Sequence, residues 1–592
     1  MNDTVIQKAI EHVSTLTFGR TDMIVFILLL MLSLGVGVYY AWCGRTSDTT
    51  DEYLLAERKL KVIPAAVSIL ASKISATTVM LLPVEIYTSG VQYVVTVLGM
   101  FIAVLVMVYV VTPVYYASIN RNCYEYLELR FDKKTRQVAT VSFLITVYLL
   151  MPVVLFIPSL AFSQVSGINV HTINGMVSAI CVIYTMLGGV KAVVWTDFIQ
   201  GMVIVGSAFI IAISGVHKVG GLGEVFTRAS AGGRLDIFNF SLDVTVRVTF
   251  WSACFGGMIV WFGFLGINQS CVQRVIALPS LKHARNTLWI FFVGFCIITG
   301  LCCFNGMVMY AKYHDCDPIT SKQVTKADKM MPFFVQDILG HIPGMAGLFI
   351  SCVFSAGLST LSANIHSLSG VVYFDYIRPF INHTEHKANI IMKSLVFVTG
   401  FYCIGAGFLV AKSPSILQLN ITLASIAQGT MVGVFLLGML FPRANSISAF
   451  IGSITSLSIM AWIIIGAQIK QWQGKVLQKM LPLRVDGCPA TNATTLVDQF
   501  ISLTTTPRSV NSHFEEGFSV FKLSFMWFAL LGALIVWIVA VPLSFIIGKN
   551  DTNKLNQNLI SPVARFMIPK EYRCEEVPQD DICKKIELKS VE

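Results

Sequence analysis

The chain reads as an all-α polytopic membrane protein of about 13 transmembrane helices. Three observations predict this. Of the 592 residues, 55% are hydrophobic and 13% charged, with a mean hydropathy of +0.70, which excludes a soluble globular protein. A helix needs about 20 apolar residues to cross the hydrocarbon core, and 13 stretches of that kind recur along the chain. Basic residues also crowd alternate connections, as the positive-inside rule requires.

In chain order the stretches lie at 23–42, 63–82, 91–113, 138–162, 170–188, 195–213, 248–268, 287–310, 345–375, 390–411, 415–441, 447–466 and 523–547. Before the first stand Asp3, Lys8, Glu11, Arg20 and Asp22. With no basic leader region, it reads as a retained helix rather than a signal peptide. Loop 43–62 holds Arg45, Arg58, Lys59 and Lys61, loop 114–137 holds Arg121, Arg130, Lys133, Lys134 and Arg136, and the intervening loop 83–90 holds none. This places residues 1–22 outside the cell, a membrane domain at 23–548 with a long outer loop at 467–522, and a cytoplasmic tail at 549–592. The net charge of +10 largely reflects that bias, and nothing further supports a nucleic-acid partner.

Two of the 14 cysteines, Cys316 and Cys488, fall in loops this topology puts in the oxidising exterior, where a bridge between them is chemically suited. Sequons at Asn2, Asn239 and Asn492 fall outside as well, whereas the one at Asn382 falls inside and should be silent. The group His383, Glu385 and His386 reads as solvated loop.

Two spans are polar at mid-depth. The second carries Ser68, Ser72, Lys73, Ser75, Thr77 and Thr78, and the ninth Ser355, Ser359, Thr360, Ser362 and His366. Positions 355, 359, 362 and 366 form one stripe at helical spacing. Such hydroxyls either bond back to their own helix and glue helices together or form the midplane site of a secondary transporter. Hydroxyls and freed carbonyls are the oxygen ligands that a hard cation takes. The seventh span is interrupted by Gly256, Gly257, Gly263 and Gly266. Broken spans five apart fit two five-helix units related by an inverted repeat.

Residues 184–200, YTMLGGVKAVVWTDFIQ, closely resemble the signature segment of sodium:solute symporters, matching at Tyr184, Gly188, Gly189, Ala192, Val193, Trp195, Thr196, Asp197 and Gln200. The glycine pair suits a tight turn between spans five and six, and Asp197 is expected to open a helix, where a carboxylate meets the positive end of the dipole. Further resemblance runs through LPVEIY (82–87), FWSACFGG (250–257), GINQSCVQR (266–274), FSAGLSTLS (354–362), GVFLLGMLFPRAN (433–445) and FKLSFMWFALLG (521–532), over residues 20–548. The layout is most similar to the branch of monocarboxylate, multivitamin and iodide transporters.

The resemblance implies a LeuT-like five-plus-five core, a multi-pass protein of the plasma membrane, and sodium as coupled ion. The implied sodium ligands are backbone oxygens of Ala71, Ile74 and Ala356 and the hydroxyls of Ser359 and Thr360, with Asp197 near the ion's release path. Ala356, Ser359 and Thr360 also share one helix face by spacing alone. By resemblance Thr77, Thr78, Phe156 and Trp251 line the substrate cavity, together with Lys73 and His366. The last two depart from the branch, which has a Phe-like or small polar residue and an Asn there, and Phe156 stands where several relatives have Tyr.

A mid-membrane charge costs about 2.5–3.5 kcal/mol or more, so Lys73 is a functional position by default. Three roles are open to it: pairing with an anionic substrate, replacing a coupled ion as a tethered cation, or resting neutral or paired with a carboxylate such as Asp197. His366 is either a packed polar residue or a ligand. The leading expectation is symport of sodium with a small anionic organic solute, monocarboxylates first, then biotin- or pantothenate-like vitamins, then inorganic anions. The rival is a non-transporting sensor or uncoupled channel on the same fold. No phosphate loop, nucleophile elbow or metal-ligand cluster supports an enzyme.

Overall fold

With no water in the bilayer core, each apolar stretch must satisfy its own backbone, and helices do so. In the computed structural model all thirteen stretches are helical. It describes residues 18–42, 50–118, 122–324, 327–381, 384–410, 416–472, 481–488, 520–547 and 556–567. Eight helices among them are individually long and apolar enough to cross a membrane: Val91–Ser118, Lys133–Ser166, Gly189–Val219, Leu281–Lys312, Met345–Ile377, Glu385–Val410, Ser446–Lys470 and Phe525–Ile546. Two further spans are bent pairs, and the rest are Arg20–Trp42, Val170–Met186 and Ile416–Leu440.

The bent pairs are the second and seventh spans. The second runs as Val62–Lys73, breaks at Ile74 and Ser75, and resumes as Ala76–Ser89 after a 58° turn. The seventh runs as Ser252–Ile267 and Gln269–Ile276, turning 55° about Asn268, so it extends past the apolar stretch that marks it in sequence. Its first half contains two π-helical segments, Ser252–Gly256 and Gly263–Ile267. Carbonyls freed there accept from tyrosines: Tyr115 donates to Gly266 O at 2.6 Å and Tyr124 to Ile267 O at 3.1 Å.

Spans five and six, Val170–Met186 and Gly189–Val219, are two helices joined at a sharp turn at Gly189, φ 60° and ψ −159°. A Cβ at Gly189 would lie 2.9 Å from the Tyr53 ring, so both backbone and packing demand glycine. The expectation for Asp197 is corrected here. The sixth span begins at Gly189, and Asp197 lies about two turns inside it, fully buried, rather than at its N-terminus.

The last span seats on glycines. Gly429 and Gly433, one turn apart on span eleven, meet Ala529 and Ala533 of span thirteen so closely that a Cβ at Gly429 would lie 2.2 Å from Ala529 O. Helices without a hydrophobic drive between them pack through such small-residue pairs.

The ends of the spans opposite the basic loops are tied together. Cys316 and Cys488 are bonded across 172 residues, and segment 481–488 crosses the ends through Leu481 N to Thr88 O and Asp317 N to Arg484 O. Tyr87 donates to Asp317 at 2.5 Å, Arg247 holds Glu85 by two bonds of 2.6 and 2.8 Å, and the Arg234 guanidinium lies 3.9 Å over the Tyr310 ring. Asn239 sits in the adjoining loop, its Oδ1 accepting from Ser241 N. Asn2, Asn382 and Asn492 lie outside the described residues, as does His383.

Candidate functional site

A broken helix exposes the last carbonyls of its first half, because no later amide reaches them. In span two the ladder ends at Ile74 N to Leu70 O, which releases the carbonyls that follow. Span nine crosses beside this break. Thr360 Oγ1 lies 3.0 Å from both Ser72 O and Ala356 O. Its single proton is shared between the two carbonyls or given to one of them, so Thr360 satisfies neither oxygen as a dedicated donor would. Ser359 Oγ is buried beside them without a close hydrogen-bond partner and within electrostatic reach of Asp197. Oxygens without a fixed charge of their own thus converge where spans two and nine meet, a donor set suited to a hard monovalent cation. Ala71, Ile74 and Ala356 are fully buried there.

Toward the basic loops lies a charged cluster that sequence reading missed. Arg274 and Asp197, 2% and 0% exposed, pair at 2.9 Å. Ser68 donates to Asp197 at 2.8 Å, and Arg274 reaches Ser72 Oγ at 2.6 Å and Ser68 O at 3.2 Å. The reading that pairs Lys73 with Asp197 is therefore corrected: Arg274, at the end of the quoted GINQSCVQR motif, takes that carboxylate.

Lys73 points the other way, toward the break of span seven. Its Nζ donates to Ser270 Oγ at 3.1 Å, and Ser270 donates on to Asn268 Oδ1 at 2.5 Å. No acidic side chain pairs with it among the described residues. Lys73 is half-buried because it lines a cavity of ≈ 120 Å³ with Ser75, Asn268, Thr360, Asn364 and Gln428. Ser142, Thr146 and Tyr124 also line it, so it extends from the two breaks toward the basic loops.

The remaining expected residues are not gathered there. Thr77 and Phe156 are buried and Thr78 half-buried, each outside the cavity lining. Trp251 joins an aromatic group at the far end, its Nε1 donating to Phe240 O at 3.2 Å. His366 is buried against the Tyr53 ring, centroids 4.7 Å apart. Asn364 and Gln428 were missed. A signal existed for Asn364, which repeats the polar spacing one turn beyond Thr360, and a weaker one for Gln428, which shares its span with Gln418, Asn420, Thr422, Ser425 and Thr430.

A family model described as the sodium:solute symporter family matches residues 53–456. The human sodium-coupled monocarboxylate transporter 1 is 35% identical over 551 residues, 91% of this chain and 89% of that protein. The rabbit (Oryctolagus cuniculus) sodium-dependent multivitamin transporter is 34% identical over 555 residues, covering 93% and 86%. Among solved structures, an outward-open sodium-coupled sialic acid symporter is similar with a TM-score of 0.71 and 23% identity, over 90% of this chain and 99% of that one. The transporter Mhp1 is similar with a TM-score of 0.51 and 12% identity, covering 91% and 99%. Both carry the LeuT fold, which is the architecture of this chain.

Proposed function

Because the chain belongs to the sodium:solute symporter family, we propose that its cargo is a small monocarboxylate, carried with sodium across the plasma membrane into the cell. The protein is a multi-pass membrane transporter, not an enzyme, and sodium is its coupled ion. The observation that carries the substrate reading is Lys73, a cation in a membrane-embedded cavity with no acidic partner among the described residues. Leaving it unpaired there is costly, and an anionic solute removes the cost. The cavity volume of ≈ 120 Å³ falls below the ~300–1,000 Å³ typical for drug-sized ligands. A short carboxylate suits it better than a vitamin with a long side chain.

In this reading sodium takes the carbonyls of Ala71, Ile74 and Ala356 and the hydroxyls of Ser359 and Thr360, drawing spans two and nine together. Ser72 O and Ala356 O then lose the Thr360 proton, and its oxygen turns to the ion. The solute carboxylate meets Lys73 on the neighbouring side of the same break, so ion and solute favour one arrangement of the broken helix. An inside-negative potential of ~100 mV adds about 2.3 kcal/mol per inward sodium charge. The basic loops and the tail lie in the cytoplasm, and Asn239 lies outside.

Radiolabelled uptake in cells expressing the chain tests this. Replacing sodium by choline should abolish uptake of short monocarboxylates, while sodium-independent uptake would sink symport. Biotin outcompeting every short acid would move the assignment to vitamins. A smaller glycosidase-sensitive gel shift in Asn239→Gln than in the parent chain checks the orientation.

A further inference from the structure

Residues 556–567 of the tail belong to no span, yet Leu559, Ile560, Ser561 and Ala564 are buried there, with Ile560 and Ser561 at 0% exposure. Two short helical turns, Gln557–Leu559 and Pro562–Met567, present them, and Asn556 caps the first by accepting from Asn558 N. The segment docks through its backbone. Ser561 N donates to Met439 O at 3.0 Å, and Tyr126 donates to Leu559 O at 3.1 Å. Ile560 and Ala564 pack against Leu440.

The surface it covers is a joint. Met439 and Leu440 end span eleven, and Arg130 holds that end by donating to the carbonyls of Gly438, Phe441, Pro442 and Ala444. The connection that carries Arg130 and Tyr126 also reaches the break of span seven. There Cys123 N donates to Gln269 Oε1 at 2.9 Å and Tyr124 to Ile267 O at 3.1 Å. The tail segment thus clamps the link between span eleven and a broken helix of the site.

Ser561 is the one member of the clamp that docking does not explain. Its Oγ is buried without a hydrogen-bond partner, which is costly, and an alanine would seat more favourably. Its sequence setting does explain it. Of the four Ser-Pro or Thr-Pro pairs in the chain, at Thr112, Ser413, Thr506 and Ser561, the first lies within span three and the next two in connections on the outer side. Only Ser561 meets cytoplasmic ATP, and Pro562 biases it, once undocked, to the extended backbone that peptide-binding clefts take up.

We propose that Ser561 is the phosphorylation site of a proline-directed serine kinase, and that the modification releases the tail segment from the bundle. The Ser561 Oγ forms a bond to the γ-phosphorus of ATP, the bond from that phosphorus to the ADP oxygen breaks, and the hydroxyl proton passes to solvent. The phosphate adds about −1.5 to −2 of charge, which a fully buried position beside Ile560, Ala564 and Leu440 cannot hold without a large desolvation cost. Arg130, the buried cation of the joint, is already committed to four carbonyls. Docking and phosphate therefore exclude each other, so the kinase acts on the undocked tail and keeps it undocked. This goes beyond the cargo reading and shares with it only the cytoplasmic placement of the tail.

The detergent-purified full chain, treated with a proline-directed kinase and Mg·ATP, tests both halves by mass spectrometry and amide hydrogen exchange. Phosphate should appear on Ser561, and amides within 557–566 should then exchange at least about tenfold faster, the effect of losing roughly one buried hydrogen bond. Ser561→Ala should take no phosphate there and keep slow exchange, whereas Ser561→Glu should exchange faster without kinase. A chain that takes no phosphate on Ser561 overturns the site. Exchange that stays slow or slows further after phosphorylation overturns the release, the latter by showing that a cation of the segment such as Arg565 captures the phosphate in place. Neither failure touches the assignment of sodium or cargo.

Discussion

Lys73 concentrates cost and chemistry in one side chain. It ends the first half of span two, where the helix dipole is negative and a cation is favoured, and it reaches Ser270 beside the break of span seven. Lys73→Gln should lower sodium-dependent anion uptake at least about tenfold, the equivalent of one charge-assisted bond; unchanged KM in a concentration series would refute its contact with cargo. Thr360→Ala should raise the sodium concentration for half-maximal uptake while leaving surface expression intact. Arg274 behaves differently. Removing one member of a buried ion pair typically costs 3–5 kcal/mol, so Arg274→Gln should strand Asp197 and lower the melting temperature of the detergent-purified protein. At this scale the sequence was partly legible. Lys73 announces itself as a charge in an apolar stretch, but the Arg274–Asp197 pair spans 77 residues, and no local pattern encodes which acid a lysine or an arginine will meet.

The spans show what hydropathy can and cannot carry. Apolar length located every span, because length alone must match the bilayer. The break in span two was foreshadowed by hydroxyls and a lysine at mid-depth, and that in span seven by glycines. The reach of span seven to Ile276 was not, since Gln269–Ile276 is polar and is buried by protein rather than by lipid. The position of Asp197 was misjudged for a related reason: the turn belongs to Gly189, whose φ no other residue adopts cheaply. Gly189→Val should therefore reduce the amount of folded protein at the surface, measured by surface biotinylation. Gly429→Leu should do so by unseating span thirteen, whereas the half-buried Gly175, with open space around its Cβ, should tolerate alanine.

For the whole molecule, the side of the breaks on which the cavity lies explains which of the expected substrate residues its lining holds. Thr77, Thr78, Phe156 and Trp251 lie outside the lining, while Ser142 and Thr146 toward the basic loops lie within it. A transporter offers different walls in different states, and sequence records all of them without saying which is assembled. Cysteine at Thr146 should react with a membrane-impermeant thiol reagent in inside-out vesicles and resist it in right-side-out ones, relative to the parent chain. Adding sodium should slow that reaction by favouring the alternative arrangement.

The bond between Cys316 and Cys488 bears on how the protein is made. Its partners are 172 residues apart, and the second emerges only after span twelve, when one span is still to come. Until then segment 481–488 cannot lie across the span ends, and Thr88, Arg234 and Asp317 lack the carbonyls and amides it brings them. Most of the bundle must therefore assemble uncapped during translation, and quality control of a newly made chain has a late checkpoint at which a nearly complete transporter is either capped or discarded.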